Sequence, residues 1–565
     1  MESEILTVNE KISRLRKLLA QKGLSAWIVN GSDPHRSEYV CDRWQTRRWL
    51  SGFTGSAGTV VVTAQQAVIW VDSRYFIQCA EQIRGTCFEM RHLDGPDSSK
   101  PSDFLSGMKN VGIAAETLSI AAMREYKAKG VEICPCEDLI DELWVDRPSI
   151  PNGYIEVIED EICGESSDSK MGRIREKMKQ DGVNWCLLSS LDDIAWVTNR
   201  RGCDVKNTPV FLSYLLIGEN DVKLFCGETY GQVFQALEGL SGTVRLDPHK
   251  VNLKLFNCIH TKVQEGSDYT VLMKACKNET ELNGMRLAHI MDGVAMVNFL
   301  AHFKSCKKGE FSELSVIEEL EEEREREESY LGPSFDTIAG FGEHGAVVHY
   351  RADAESDRKI CKNGLLVLDS GGHYLCGTTD ITRTVLIGRA AKKQKEDYTL
   401  VLKGHLALAS QSFPEGTTGH QLDVLAHAPL WNQGLNYFHG TGHGVGFRLS
   451  VHEGPHNISV RYKDVPLQEG MVVSDEPGIY REGSHGVRIE NLVVVVPSMK
   501  TDYGEFLTFE TLTCCPYERE LIEKSMLTAE EIDLIDTYHS WVFGKLKKLV
   551  DRESLKYLEE ATKPL

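Results

Sequence analysis

Two pairs of acids, with histidines between them, are the residues of this sequence best placed to do chemistry. Asp369 ends the apolar run Leu365-Leu366-Val367-Leu368, and Asp380 opens the return Ile381-Thr382-Arg383-Thr384-Val385-Leu386. The glycine-rich stretch Ser370 to Gly377 turns the chain between them. Folded about Tyr374 and Leu375, this hairpin sets the two carboxylates opposite each other on one face. Like charges directly opposed on a sheet destabilise it, and half-burying them costs more, so the pair must share a proton or hold a cation. Two solvated aspartates beside a turn is the plainer reading, and it weakens because the figure recurs. Met471-Val472-Val473-Ser474-Asp475-Glu476 and Val487-Arg488-Ile489-Glu490-Asn491-Leu492 flank a loop centred on Gly483, with Glu476 and Glu490 equidistant from it. Between the hairpins, Phe438-His439-Gly440-Thr441-Gly442-His443-Gly444-Val445-Gly446 adds imidazoles on a glycine-rich backbone. Four acids and one histidine, mostly oxygen donors, suit two divalent ions such as manganese, cobalt or zinc. Two such ions, about 3.5–4 Å apart, can share an acid and a hydroxide.

These residues need a scaffold, and the chain is long enough to provide one. At 565 residues, 41% hydrophobic and 26% charged, it reads as globular with two to four domains. No stretch approaches a membrane span, and the polar start Met1-Glu2-Ser3-Glu4 lacks the pattern of a signal peptide. A net charge of −20 argues against nucleic acid as a partner. Sixteen cysteines without a regular framework are expected to be reduced thiols in a cytoplasm, and Cys134-Pro135-Cys136 and Cys514-Cys515 lack partner pairs at zinc spacing.

The N-terminal part opens with a helix over Lys11 to Lys22, ended by Gly23, and the strand Ala26-Trp27-Ile28-Val29. The same order returns 159 residues later, with a helix over Gly172 to Asp181, Gly182, and the strand Trp185-Cys186-Leu187-Leu188. Such a repeat implies two related α/β domains in tandem, with a boundary near Pro148 to Asp160. Glycines 52, 55 and 58 lack the Gly-Lys-Ser/Thr ending of a phosphate loop, and a tight turn between paired strands is expected there. Arg74, beside a strand end, is read as an ion-pair partner or as a group reaching toward a substrate. A third part starts near Lys277 with a long helix, roughly Glu279 to Phe303, whose apolar positions include Leu287, Ile290, Met291, Val294, Val297 and Leu300. Glu318 to Glu328 reads as an exposed helix with local charge pairs. Strands are expected over Ser334 to Ala339 and Gly345 to Tyr350.

Two strings imitate other sites. His452-Glu453-Gly454-Pro455-His456 matches the zinc-protease pattern, but Gly454-Pro455 at its centre makes the required helix improbable. His439 and His443 share that spacing, yet Gly440 and Gly442 argue for extended or looped backbone. The alternating glycines from 440 to 446 do not fit a dinucleotide fingerprint. His349, His439 and His452, each ordinary alone, flank the acids and are read as catalytic or substrate-orienting groups.

Taken in order, Asp369, Asp380, His443, Glu476 and Glu490 resemble the five-ligand set of the pita-bread metallopeptidases, the clan of methionine aminopeptidase, prolidase and aminopeptidase P. The strings Leu368-Asp369-Ser370-Gly371-Gly372, Thr379-Asp380-Ile381-Thr382-Arg383-Thr384, Val451-His452-Glu453-Gly454-Pro455 and Asp475-Glu476-Pro477-Gly478-Ile479-Tyr480 are most similar to aminopeptidase P. Gly52-Phe53-Thr54-Gly55-Ser56-Ala57-Gly58, Asp72-Ser73-Arg74-Tyr75-Phe76 and Lys277-Asn278-Glu279 extend the likeness to the long, three-domain, cytosolic Xaa-Pro aminopeptidases. No ligand position is altered; Ser73 stands where glycine is expected.

The resemblance implies an α/β (α+β) fold: two tandem creatinase-like α/β domains, residues 1–155 and 156–275, then a pita-bread catalytic domain with a C-terminal extension, 276–565. It implies a cytoplasmic, homodimeric metalloprotease holding two metal ions, most commonly manganese (Mn2+), with zinc or cobalt possible. A bridging hydroxide attacks the first peptide carbonyl of substrates with proline second. By the same resemblance Asp369 would ligate one metal, Asp380 both, His443 and Glu476 the second, and Glu490 would bridge, with Glu476 also transferring a proton. His349, His439 and His452 bind the carbonyl, stabilise the oxyanion or protonate the leaving nitrogen. Arg488, two residues from Glu490, orients that acid or the substrate. Trp431 walls a proline subsite or fills a core. The competing expectations are a prolidase, which cuts Xaa-Pro dipeptides only, and an inactive pita-bread peptide-binding module.

Overall fold

The computed structural model describes residues 6–95 and 97–565; the polar start read above lies outside them. The chain divides into two compact units, one of residues up to Asp160 with Glu165–Val271, the other of Glu161–Gly164 with Leu272–Leu565.

The first unit contains both copies of the repeat. The helix Val8–Lys22 ends on Gly23 and the helix Ser167–Asp181 on Gly182, each glycine in the left-handed conformation that a side chain resists. The strands that follow, Ala26–Val29 and Trp185–Leu188, play the same part in their sheets. Ala26–Val29 pairs antiparallel with Thr59–Thr63 and parallel with Val111–Ala114. Trp185–Leu188 pairs antiparallel with Ser213–Gly218 and parallel with Thr243–Leu246. The glycine-rich stretch after Trp49 is not a turn between paired strands. It leads from the helix Thr46–Ser51, capped by left-handed Gly52, into Thr59–Thr63. None of the sixteen cysteines forms a disulfide. No helix among the described residues is long and apolar enough to cross a membrane.

In the second unit the strands Ile338–Phe341, Gly364–Ser370 and Ile381–Ile387 form an antiparallel sheet, buried along both longer strands. Alternation then assigns the faces. Leu366, Leu368, Ile381 and Val385 pack against Met296, Phe299, Leu300 and Val316, while Leu365 and Leu386 pack against Tyr398, Val401 and Leu402. Each such fully buried side chain contributes about 1.5–3 kcal/mol. A second sheet of six strands includes Gly442–Gly444, Glu453–Ile458, Val472–Asp475 and Asn491–Thr501. Thr382 of the first sheet forms a backbone bridge with Glu490, the residue before Asn491–Thr501.

Several local expectations change. Gly342–Ala346 is a 3-10 turn, so no strand runs from Gly345 to Tyr350, and the preceding strand begins at Ile338 rather than Ser334. Glycines in that turn and at Gly486 let the two backbones approach too closely for side chains. The long helix runs Glu279–Ser305, but Leu287 is exposed, and its buried face includes His289 and Asp292. Asp292 explains a second miss. Arg324, expected on an exposed acidic helix, is fully buried in Glu313–Glu325 with Nε 2.8 Å from Asp292. The long helix also carries Gly284 and Gly293 where the carbonyls of Cys376 and Cys514 come close: an added Cβ would lie 2.3 and 2.2 Å from them.

Candidate active site

The first acidic hairpin forms with its register two residues away from expectation. Asp369 faces Thr382 and Ser370 faces Ile381, so the turn is centred between Leu375 and Cys376 rather than on Tyr374 and Leu375. Asp380 therefore sits just before its strand, diagonal to Asp369. A shift of two residues preserves the side-chain face, so Asp369, Asp380 and Thr382 still point to one side. The second hairpin has the expected register. Asp475 faces Asn491 and Gly478 faces Arg488, which sets Glu476 against Glu490 around left-handed Gly483. His443 comes from Gly442–Gly444, an extended strand, and His452 immediately precedes Glu453–Ile458, which is a strand and not a zinc-protease helix.

These elements bring four of the five read ligands together. Asp380, His443 and Glu490 each offer a ligand atom within 4.8 Å of the others. His443 Nε2 lies 3.5 Å from Asp380 Oδ2 and 3.4 Å from Glu476 Oε1. Its Nδ1 lies 3.0 Å from the Gly444 carbonyl, which fixes the tautomer with a lone pair on Nε2 facing the acids. Thr382 donates to Glu490 at 2.7 Å, and Ser474 donates to Glu476 at 3.1 Å. Asp369, the fifth, acts on the charge of Asp380, Glu476 and Glu490. Its Oδ2 accepts from Arg488 Nη2 at 2.6 Å, while its buried Oδ1 has no hydrogen-bond partner.

The acids strain one another electrostatically. Burial, then Asp369 and Glu476, push Asp380 well above the usual carboxylate range. Burial, then Asp380 and Glu476, do the same to Glu490. Burial pushes Glu476 up to about 7 against the pull of Arg488, with Asp369 adding to the rise. A donor set of this kind, with a buried carboxylate oxygen left without a partner, fits divalent cations.

Around the acids the structure separates residues that were read together. His439 Nε2 lies 2.8 Å from the Tyr480 hydroxyl, and Tyr480 accepts from Arg488 Nη1 at 2.8 Å. Arg488 thus links His439 to Asp369, and its Nε also donates at 3.3 Å to Thr382 Oγ1, the hydroxyl that donates to Glu490. Tyr480 was in the recognised string but not singled out; its place opposite Gly486, two residues from Arg488 along the hairpin, was the available signal. The His452 ring meets His443 edge to face, with centroids 4.3 Å apart. His349 is half-buried in the loop after the 3-10 turn. Trp431 ends the helix Gly419–Trp431, 46% exposed, and stacks on His427, which stacks in turn on Tyr437 beside His439. It fills no core. Arg74 belongs to the other compact unit, where Nε and Nη2 each lie 2.8 Å from Asp72.

Comparison with known proteins agrees with this geometry. Residues 283–497 match metallopeptidase family M24 and 505–565 the C-terminal region of peptidase M24. Residues 11–143 and 146–229 each match the creatinase/prolidase N-terminal domain. Xaa-Pro aminopeptidase 1 of Dictyostelium discoideum is 36% identical, over 99% of this chain and 97% of its own. Aminopeptidase P2 of Arabidopsis thaliana is 34% identical, over 99% and 89%. The crystal structure of the X-prolyl aminopeptidase of Caenorhabditis elegans, described as a cytosolic enzyme with a di-nuclear active site, superposes with a TM-score of 0.94 at 33% identity, covering 99% of this chain and 100% of that one. With its creatinase-like N-terminal repeats and its pita-bread catalytic part, the chain belongs to metallopeptidase family M24, alongside the Xaa-Pro aminopeptidases.

Proposed function

We propose that this chain is a dinuclear metallo-aminopeptidase that releases the first residue from peptides with proline at the second position. The observation that carries the reading is the convergence of Asp380, His443, Glu490 and Glu476 in one buried cluster, with Asp369 tied to it through Arg488. Asp369, Asp380, His443, Glu476 and Glu490 would hold two divalent ions, manganese by preference. When bound, such a pair lowers the pKa of water and polarises the scissile carbonyl.

The remaining steps belong to the chain's own groups. Glu476, 3.4 Å from His443 Nε2 and accepting from Ser474 at 3.1 Å, is assigned the task of taking and returning a proton. His349, His439 and His452 are assigned the donation to the developing oxyanion or to the departing proline nitrogen; in the resting site His439 Nδ1 donates to the Gly440 carbonyl and Nε2 accepts from Tyr480, while His452 packs on His443. Arg488 fixes Asp369 and Tyr480 together. The contact of Arg74 with Asp72 supports an ion-pair role rather than the substrate role also read for it. Proline specificity follows from a subsite that takes the ring and offers no acceptor for an amide hydrogen, so an ordinary peptide would bury an unpaired donor at about 1–3 kcal/mol.

Three parts, 1–155, 156–275 and 276–565, are assigned on the two repeat sheets and on the division of compact units at Val271. A cytoplasmic location suits sixteen cysteines that form no disulfide. A homodimer suits the exposed Trp431 and Phe438.

The test is hydrolysis of Xaa-Pro-Xaa and Xaa-Ala-Xaa peptides side by side with added Mn2+, with free and acetylated N-termini. Release of only the first residue, only from free Xaa-Pro peptides, is expected. Efficient internal cleavage of a blocked peptide would end the aminopeptidase reading. Cleavage of Gly-Pro without Arg-Pro-Pro would make the chain a prolidase.

A further inference from the structure

Behind the ligand strands lies a fully buried cation that the reading above does not use. Arg383 follows Thr382, so its side chain leaves the sheet on the face opposite Thr382 and Asp380. Only 2% of it is exposed. Nη1 donates to the carbonyls of Thr382 at 2.9 Å and Glu490 at 2.7 Å. Nη2 donates to Asn491 Oδ1 at 2.8 Å, the Cys515 carbonyl at 2.7 Å and the Tyr538 hydroxyl at 3.0 Å, and Nε to the Pro516 carbonyl at 3.1 Å. Every one of these acceptors is neutral.

Burying a cation against neutral acceptors is costly, and apolar packing would close the same space at less expense. A guanidinium differs in offering five N–H donors in a rigid plane, which can hold several backbone segments at once. Here they are the strand after Asp380, the backbone of Glu490, and the stretch Cys515–Pro516 with Tyr538 from the helix Ala529–Leu546. The join that it braces is narrow. The aspartate sheet meets the segment Arg488 to Glu490 through one backbone bridge, with Glu490 N donating to the Thr382 carbonyl at 3.1 Å, and through the hydroxyls of Thr382 and Thr384, which donate to the Glu490 carboxylate at 2.7 Å and the Arg488 carbonyl at 2.8 Å. The Tyr538 hydroxyl lies 2.9 and 2.8 Å from the carbonyls of Thr513 and Cys515, so its lone pair is turned to the guanidinium.

We propose that Arg383 is a positioning residue for the metal centre and that, through it, the C-terminal extension is part of the scaffold that holds Glu490 against Asp380. The proposal rests on the dinuclear reading and concerns what sets the separation of its ligands.

The test is Mn2+ binding to chelator-stripped, full-length protein by titration calorimetry, with melts of the stripped protein alongside. Arg383→Lys keeps the charge and loses the fork. It should bind at least one of two ions about 10–100-fold more weakly, the range for losing a partner behind a ligand, with kcat falling more than KM changes. Tyr538→Phe removes one hydroxyl and should weaken binding by a smaller factor, about threefold or more, with the stripped protein melting near the wild type. Should Arg383→Lys fail to fold, Tyr538→Phe decides alone. Wild-type Mn2+ affinity in the folded variants, whatever their melting temperatures, overturns the proposal. A wild-type protein that binds no Mn2+ overturns the dinuclear reading itself.

Discussion

Asp369 is the acid on which ligand and support roles diverge most clearly. One oxygen is committed to Arg488 and the other is buried without a partner. Asp369→Asn keeps the shape and removes the charge, so it should lose bound metal and activity while its circular dichroism stays that of the wild type. Two tightly held ions and normal turnover would remove Asp369 from the ligand set. His439, bonded to Tyr480, is assigned to substrate rather than to metal. His439→Ala and Tyr480→Phe should each lower kcat, by up to about 2–4 kcal/mol of transition-state stabilisation for the histidine, with metal content unchanged by elemental analysis. Loss of metal in either variant would move that residue into the ligand shell. The acids also predict a pH dependence. In the metal-free protein Glu476 is raised to about 7, and Asp380 and Glu490 are raised well above the ordinary range, against about 4 unfolded. The folded, stripped protein therefore binds more protons than the unfolded chain from about pH 4 to 7, and it loses stability as pH rises through that window. Cations replace those protons, so the gap between loaded and stripped melting temperatures should widen from pH 5.5 to 8. A constant gap would contradict this electrostatic account.

At the scale of elements, the two hairpins differ in how well the sequence specified them. The second was legible because Gly483 marks its centre and equal spacing sets Glu476 against Glu490. The first offered several glycines, and its turn sits one residue later than the sequence suggested; parity rescued the face although the pairing was wrong. The burial of Arg324 was illegible because it lies among glutamates, which offer it local partners; Asp292, a lone acid in the apolar run Ile290 to Val297, was the available signal of a buried pair. The second hairpin has its own anchor. Arg481 donates to Asp397 at 2.5 and 2.8 Å, and His485 Nε2 lies 3.0 Å from the same acid. Burial opposes the charge of Asp397, but Arg481, His485 and Lys393 outweigh it and hold the carboxyl well below the usual range. A depressed carboxyl contributes stability above its unfolded pKa, near 4, which is lost as pH falls through the folded value. Asp397→Asn should cost about 3 kcal/mol near pH 7, and the difference from wild type should shrink as pH drops below about 4. A difference unchanged at low pH would mean that the clamp is not electrostatic.

Across the whole molecule, the repeat was readable from a helix, a glycine and a strand spaced 159 residues apart, because a left-handed cap leaves a fixed residue type at a fixed place. The sheet neighbours of those strands were not readable, since pairing partners lie far away in sequence. The proposed metal ligands all fall in the unit of residues 272–565. Scanning calorimetry should therefore resolve a transition that Mn2+ raises and another that it leaves in place, in keeping with binding to one folded unit. A single transition that moves as a whole would mean that the units melt together.

The glycines of the long helix reverse a common rule of protein engineering. Replacing glycine by alanine inside a helix ordinarily gains about 1 kcal/mol, and a designer scanning for easy gains would select Gly284 and Gly293 first. Both face carbonyls at distances that leave no room for a methyl group: Cys376 at the tip of the aspartate hairpin, and Cys514 just before the stretch that Arg383 holds. Alanine at either site would gain helix propensity and displace a support of the metal cluster. In this helix, stability and catalysis would both select for glycine, against the helix propensity.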